Sequence, residues 1–251
     1  MTTEATYDAI GRSYVRYRQP DPRIACQIEA ALGNAQLVLN VGAGTGSYEA
    51  NDRRVVAVEP SPVMLAQRSS GAAPAVRGVA GALPFADGSF DAAMAILTVH
   101  HWPDAAAGLA ELRRVADGIV VFTFDAAIHA QYWLFEEYLP ETVTLDTWRT
   151  PPIEAVAEAV DADRVEVVPI PADCVDGFNW AYWRRPESYL DPGVRSCISG
   201  LAQLPDDLVA SRMQRLAADL ADGTWQTRHA EFAQLDAVDG GFRLVVRSGR
   251  Q

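Results

Sequence analysis

One stretch constrains this chain more than any other: Leu37 to Ser61, LVLNVGAGTGSYEANDRRVVAVEPS. An apolar run from Leu37 to Val41, interrupted only by Asn40, breaks into Gly42-Ala43-Gly44-Thr45-Gly46, and a second, Val55 to Val58, ends on Glu59. Short runs rich in β-branched residues and closed by glycines read as buried parallel strands. Glycine suits the turn because the backbone must bend sharply and admit a ligand with no Cβ in the way. An acid at the tip of the next strand stands beside that turn, where a carboxylate accepts both hydroxyl protons of a ribose. The stretch predicts a nucleoside site in an α/β fold.

The spacing narrows the nucleoside. Ser47 stands where the dinucleotide fingerprint has its third glycine, and Glu59 follows Gly46 by thirteen residues, short of the roughly twenty of that pattern. G-x-G-x-G followed by an acid that ends the second strand resembles the S-adenosylmethionine site of class I methyltransferases. The region LPFADGSFDAAMAILTVHHWPDAAAGLAELRRV, Leu83 to Val115, closely resembles the small-molecule branch related to ubiquinone and menaquinone methylases. The resemblance covers residues 37–124 well and the N-terminal helices loosely; beyond Asp125 it is one of topology.

That resemblance implies a doubly wound, mostly parallel seven-stranded sheet with an antiparallel last strand, N-terminal lid helices, and a helical cap between strands six and seven. In domain terms, residues 1–170 and 241–251 form the cofactor-binding α/β unit and 171–240 the cap. It further implies S-adenosylmethionine held by Arg18, Asn40, Gly42, Ala43, Gly44, Gly46, Glu59, Pro60, Met64, Ala80, Gly81 and Leu97. Three positions depart from the family pattern. Asn40 replaces the acid that usually precedes the glycine loop, and Val79 replaces the acid that often meets the adenine amine. Only Ser47 to Arg54 separate the loop from strand two, where a parallel crossover normally needs about a dozen residues. The first helix should be about one turn or lost, leaving that face of the sheet thin.

Elsewhere the periodicity is ordinary. Tyr7, Ile10, Tyr14 and Tyr17 share one face of a leading helix, and Asp21-Pro22 opens a second that runs to Leu32. Ser61 caps a helix with Pro62 in its first turn. Strands are expected near 75–79, 92–98 and 118–124, the last central, with a helix over 104–116. Val165 to Ile170 reads as strand six and Gly241 to Arg247 as an antiparallel edge strand. The roughly seventy residues between them are too long for a loop. They should form helices, Pro192 to Leu204 and Pro205 to Ala221, over the C-terminal edge of the sheet, where such folds bind ligands.

The 251 residues, 49% hydrophobic, allow one large α/β domain with an insertion. A net charge of −12 argues against a nucleic-acid partner, which needs a basic face. Cys26, Cys174 and Cys197 are scattered, which suits a reducing cytoplasm. His129 and His229 lack metal-ligand spacing, so no metal is expected. Neither a signal segment nor a long apolar run is present, and a membrane partner is not expected. The expected partner is a small-molecule acceptor, to a monomer or homodimer.

Methyl transfer from a sulfonium needs near-attack positioning and exclusion of water, with a base only if the acceptor must lose a proton. His101, just past strand four, is the candidate base. The resemblance extends to phosphobase methyltransferases, where a His at the matching place works with a tyrosine; Tyr14 or Tyr17 would fill that part. Five of the six tryptophans fall within 126–240, and His100, Trp102, Trp180 and Trp183 are candidate acceptor-pocket walls. Arg12 and Arg18 are candidates for the methionyl carboxylate. Two other classes compete: a nicotinamide oxidoreductase, for which the glycine spacing and a Tyr-x-x-x-Lys pair are missing, and a protein that binds S-adenosylmethionine without methylating (cyclase, hydrolase or regulatory binder).

Overall fold

A computed structural model describes residues 14–249, with the side chains of Tyr14, Val15, Asp146 and Thr147 excepted. Tyr7, Ile10 and Arg12 therefore lie outside the described residues, as does the side chain of Tyr14. Seven strands form the main sheet: β1 (Leu37–Val41), β2 (Arg54–Glu59), β3 (Ala75–Arg77), β4 (Phe90–Ile96), β5 (Ala116–Phe124), β6 (Arg164–Val167) and β9 (Phe242–Arg247), in the order β3-β2-β1-β4-β5-β9-β6. The neighbours from β3 to β5 pair in parallel, and β9 runs antiparallel to both β5 and β6. A separate ribbon joins β7 (Ile170–Pro171) to β8 (Ala237–Val238).

Alternation along the strands sorts the core into two layers. Leu39, Val41, Ala93, Ala95, Ile119 and Val121 face the helices Ala105–Val115 and Ile153–Val160. Val38, Val55, Met94, Val120 and Phe122 face the opposite way, onto Ile24, Ile28 and Leu32 of the helix Pro22–Leu32 and onto an aromatic layer. That layer takes residues from both sides of β6. Trp133 donates to the Trp183 carbonyl (3.0 Å), Tyr132 stacks on Trp180 (4.4 Å), and Trp133 meets Trp225 edge-on (5.3 Å).

The expected helix starts are present, with Asp21, Ser61 and Asp104 each accepting a backbone N–H as N-cap. Three expectations need correction. The antiparallel strand is not at the sheet edge: β9 is inserted between β5 and β6, and half-exposed β6 forms the border. Strand six stops at Val167, because Pro169 and Pro171 interrupt the ladder and Ile170 pairs with β8 instead. The helix expected over Pro192–Leu204 ends at Ser196, and a second short helical turn forms only at Leu201–Gln203. As expected, the β1–β2 connection carries turns and no helix, yet it is not bare. Its Tyr48 is 6% exposed and packs in the core with Val38 and Val55.

Candidate functional site

Two adjoining cavities open at the C-terminal ends of β1, β2 and β4. The larger, about 270 Å³, is walled by the glycine loop, the Glu59–Ser61 tip of β2, Met64, the Gly78–Ala80 segment, and Leu97, Thr98, His101 and Trp102 after β4. Its geometry follows from local backbone requirements. Gly42, Gly44 and Gly46 hold φ of +70°, +52° and +99°, a region other L-residues seldom enter. A Cβ on Gly42 would sit 2.1 Å from Thr98 Oγ1, so only glycine lets the loop lie against the end of β4. Leu97 itself is held at φ +50°. Such strain in a non-glycine residue at a strand tip costs about 1–3 kcal/mol and persists where the surroundings over-determine it.

Glu59 is 6% exposed. Its two carboxylate oxygens accept from the backbone N–H of Gly44 (2.8 Å) and of Ser61 (2.9 Å), tying the acid to the loop. Burial raises its pKa, and those two backbone donors and Arg68 only partly offset the rise. The carboxylate is therefore under-solvated, a state that further hydroxyl donors relieve. Asn40, 1% exposed, donates through Nδ2 to Glu49 Oε1 (3.1 Å). Glu49, two residues past Ser47, pairs with Arg68 at 2.7 Å and accepts from Ala73 N at 3.0 Å. Thus an acid stands beneath the glycine loop, delivered by the short connection and not by the strand.

The smaller cavity, about 50 Å³, is lined by Arg18, Leu97, His100, His101, His129, three phenylalanines (Phe124, Phe178, Phe242), Asn179 and the segment Cys197–Gly200. Arg18, Leu97 and His101 border both cavities. Arg18 is fixed from behind: its Nε donates to Asp176 Oδ1 at 2.6 Å, and Asp176 is 1% exposed. Burial, followed by the positive charges of Arg18 and Arg149, pushes His100 down to about 3. His101 is also held well below the ordinary imidazole value, by burial first and His100 second. Both are neutral at physiological pH.

Of the sequence-predicted cofactor residues, Arg18, Asn40, Gly42, Ala43, Gly44, Glu59, Pro60, Met64, Ala80 and Leu97 line the larger cavity. Gly46 and Gly81 do not; Gly46 shapes the loop from outside, and Gly81 is exposed. His100 and His101 line the smaller cavity, whereas Trp102 faces the larger one, its ring accommodated by Gly108, where a Cβ would sit 2.3 Å away. Trp180 and Trp183 line neither cavity. Trp183 is fully buried with its indole N–H on the Ile170 carbonyl (3.0 Å), and Trp180 donates to the His129 carbonyl (3.2 Å). Tyr17 is turned away, its hydroxyl on Asp191 Oδ2 at 3.0 Å. The cap residues that do reach the pocket are Phe178, Asn179 and Cys197–Gly200; no local sequence signal singles them out.

Comparison with known proteins bears on the fold and the family. A family model described as a methyltransferase domain matches residues 39–122. A solved structure from Anabaena variabilis, described as a candidate methyltransferase of an antibiotic biosynthesis pathway, is 33% identical, with a TM-score of 0.83 over 92% of this chain and 98% of its own. Two more distant structures share the fold. Haemonchus contortus phosphoethanolamine N-methyltransferase 2, solved with S-adenosylmethionine, is 14% identical, with a TM-score of 0.61 over all of this chain and 60% of its own. The [4+2]-cyclase SpnF is 15% identical, with a TM-score of 0.56 over all of this chain and 98% of its own. No curated protein sequence gives a significant match.

Proposed function

The chain belongs to the class I S-adenosylmethionine-dependent methyltransferases, and on that premise we propose that it binds S-adenosylmethionine in the larger cavity and methylates a small molecule seated in the smaller one. The observation that carries this reading is Glu59: a buried, under-solvated carboxylate on a cavity wall, pinned to the glycine loop by Gly44 N. A nucleoside diol supplies the donors that such a carboxylate lacks. The glycine loop fits the same ligand, since its positive φ angles keep side chains out of the cradle.

The bound cofactor supplies a methyl group on a positively charged sulfonium. This chain's residues do the rest. Glu59 and the loop hold the nucleoside end, and Trp102 and Pro103 close the far wall. Leu97, His101 and Arg18 form the border across which the acceptor approaches. Holding two reactants across such a border removes most of the entropy cost of their meeting. The assignment of the 33%-identical relative to an antibiotic pathway supports a small organic acceptor. The net charge of −12 disfavours a nucleic acid in that role, and among the described residues no helix is long and apolar enough to cross a membrane.

Calorimetry with S-adenosylhomocysteine tests the reading. Glu59→Ala removes charged hydrogen bonds of about 1.5–3 kcal/mol, a loss of roughly tenfold to a hundredfold in affinity. An affinity unchanged by Glu59→Ala sinks the assignment.

A further inference from the structure

The chemistry of the smaller cavity points to a class of acceptor. Its 50 Å³ exceeds what one water needs, about 10–15 Å³, and it shares Arg18, Leu97 and His101 with the larger cavity, so a ring held there would reach across that border. Phenylalanines supply flat walls, with Phe178 and Phe242 packed 4.8 Å apart. Among the described residues, no aspartate or glutamate lines it. The positive charges of Arg18 and Arg149 both act on His100 and His101. Arg18 also already lies over the Phe178 ring, 6.0 Å from its centroid, which takes the aromatic face a ligand cation would use.

Two polar atoms of this cavity's residues, His100 Nδ1 and Asn179 Oδ1, are buried without a hydrogen-bond partner. The other end of the Asn179 amide meets His129 Nε2 at 3.2 Å. A buried acceptor left unpaired costs about 1–3 kcal/mol, which a ligand hydroxyl recovers by donating to it. An ammonium group would lie beside Arg18 and the sulfonium, with no carboxylate among the described lining residues to pair with it.

Resting on the function proposed above, we infer that the acceptor is an uncharged ring bearing two hydroxyls, phenolic or enolic: one is anchored on Asn179 Oδ1 beside His100, and the other is methylated on oxygen, with His101 taking its proton. That second hydroxyl gives its proton to His101 while its oxygen bonds the methyl carbon, and the carbon–sulfur electron pair leaves with sulfur. The one positive charge that enters on the sulfonium ends on the imidazolium, so the buried site carries the same charge before and after. That constancy matters where desolvation penalises every added charge. A weak base suits an acidic hydroxyl rather than an alcohol.

The test is calorimetry on the S-adenosylhomocysteine-loaded protein with two one-ring probes, catechol and benzylamine, at pH 7.5. Catechol should bind at least tenfold more tightly. Asn179→Ala should weaken catechol at least fivefold and leave S-adenosylhomocysteine within twofold. Equal or tighter binding of benzylamine, no binding of either probe, or an Asn179→Ala protein with unchanged catechol affinity overturns the inference while the cofactor reading stands. Absence of S-adenosylhomocysteine binding overturns both.

Discussion

Glu49 and Arg68 form an ion pair at 2.7 Å beneath the glycine loop, their side chains 7% and 6% exposed. Glu49 also gathers the Asn40 amide and Ala73 N, and Arg68 reaches the carbonyls of Gly44 (3.3 Å) and Ala73 (2.9 Å). These bonds tie the helix-less β1–β2 connection to the segment before β3, so a polar knot braces the loop where a crossover helix would otherwise pack.

Breaking that knot from one side should be costly. Arg68→Met leaves a buried carboxylate uncompensated, a loss of about 3–5 kcal/mol for pairs of this kind. The double variant Glu49→Gln/Arg68→Met removes both charges and keeps an acceptor for Asn40, and should be more stable than the single one. Urea unfolding of the two proteins decides the point; a double variant no better than Arg68→Met would mean that the pair's charge is not what matters.

Tyr48 binds the same connection to the cap. Its hydroxyl donates to Asp176 Oδ2 (2.8 Å) and accepts from Asp21 N (3.3 Å). Asp176 is also the residue that holds Arg18 at the border of the two cavities. Tyr48→Phe should cost about 1.5–3 kcal/mol, the range for a hydrogen bond to a charged group. It should also weaken catechol binding by loosening Arg18. Unfolding and calorimetry on one preparation read both effects, and a stability equal to that of the parent protein would refute the clasp.

Trp183→Ala is expected to act on stability rather than on acceptor choice. The ring is fully buried and its N–H is satisfied by the Ile170 carbonyl. Truncations of this size cost about 3–5 kcal/mol. Thermal unfolding should fall sharply, while whatever folded protein remains keeps its relative affinity for catechol and benzylamine. A stable variant with altered preference would return Trp183 to the acceptor wall.

Stability should also fall in mild acid. Burial, chiefly, takes His100 and His129 to about 3, against about 6.5 when unfolded. Below pH 6.5 the unfolded chain binds protons that the folded chain refuses. Stability is therefore full above pH 7 and declines as pH drops toward 3, by up to about 1.4 kcal/mol per pH unit for each such imidazole. His129 stacks on Phe124 at 4.2 Å, so His129→Phe keeps the shape. It should flatten the dependence of urea-derived stability between pH 6.5 and 5, whatever it does at pH 7.5. An unchanged slope would mean that His129 protonates normally in the fold.

How far each part was legible in the sequence follows from how local its cause is. The glycine loop, the acid ending β2 and the capped helix behind them lie within residues 37–66. Their form depends on φ preferences, strand period and capping, all of which act over a few residues. Most of the expected cofactor residues accordingly border one cavity. The rank of β9 was not legible in that way. Which neighbour a strand pairs with is a choice among distant partners, although the buried pattern of β9 against the half-exposed one of β6 is its structural trace.

The smaller cavity was decided by tertiary structure alone. Arg18, His100, His129, Phe178, Cys197 and Phe242 come together from one end of the chain to the other. Aromatic composition pointed to Trp180 and Trp183 as pocket walls, but Phe178 borders the cavity while these two, two and five residues on, do not. The chain there turns through irregular backbone, with Trp180 at φ +72°, so no helical or strand period assigns its faces. The sequence by itself determined a glycine-loop cradle with an acid beside it, because those constraints are local. What the cradle works upon was settled only when distant segments packed, because a cavity is defined by the side chains that fail to fill it.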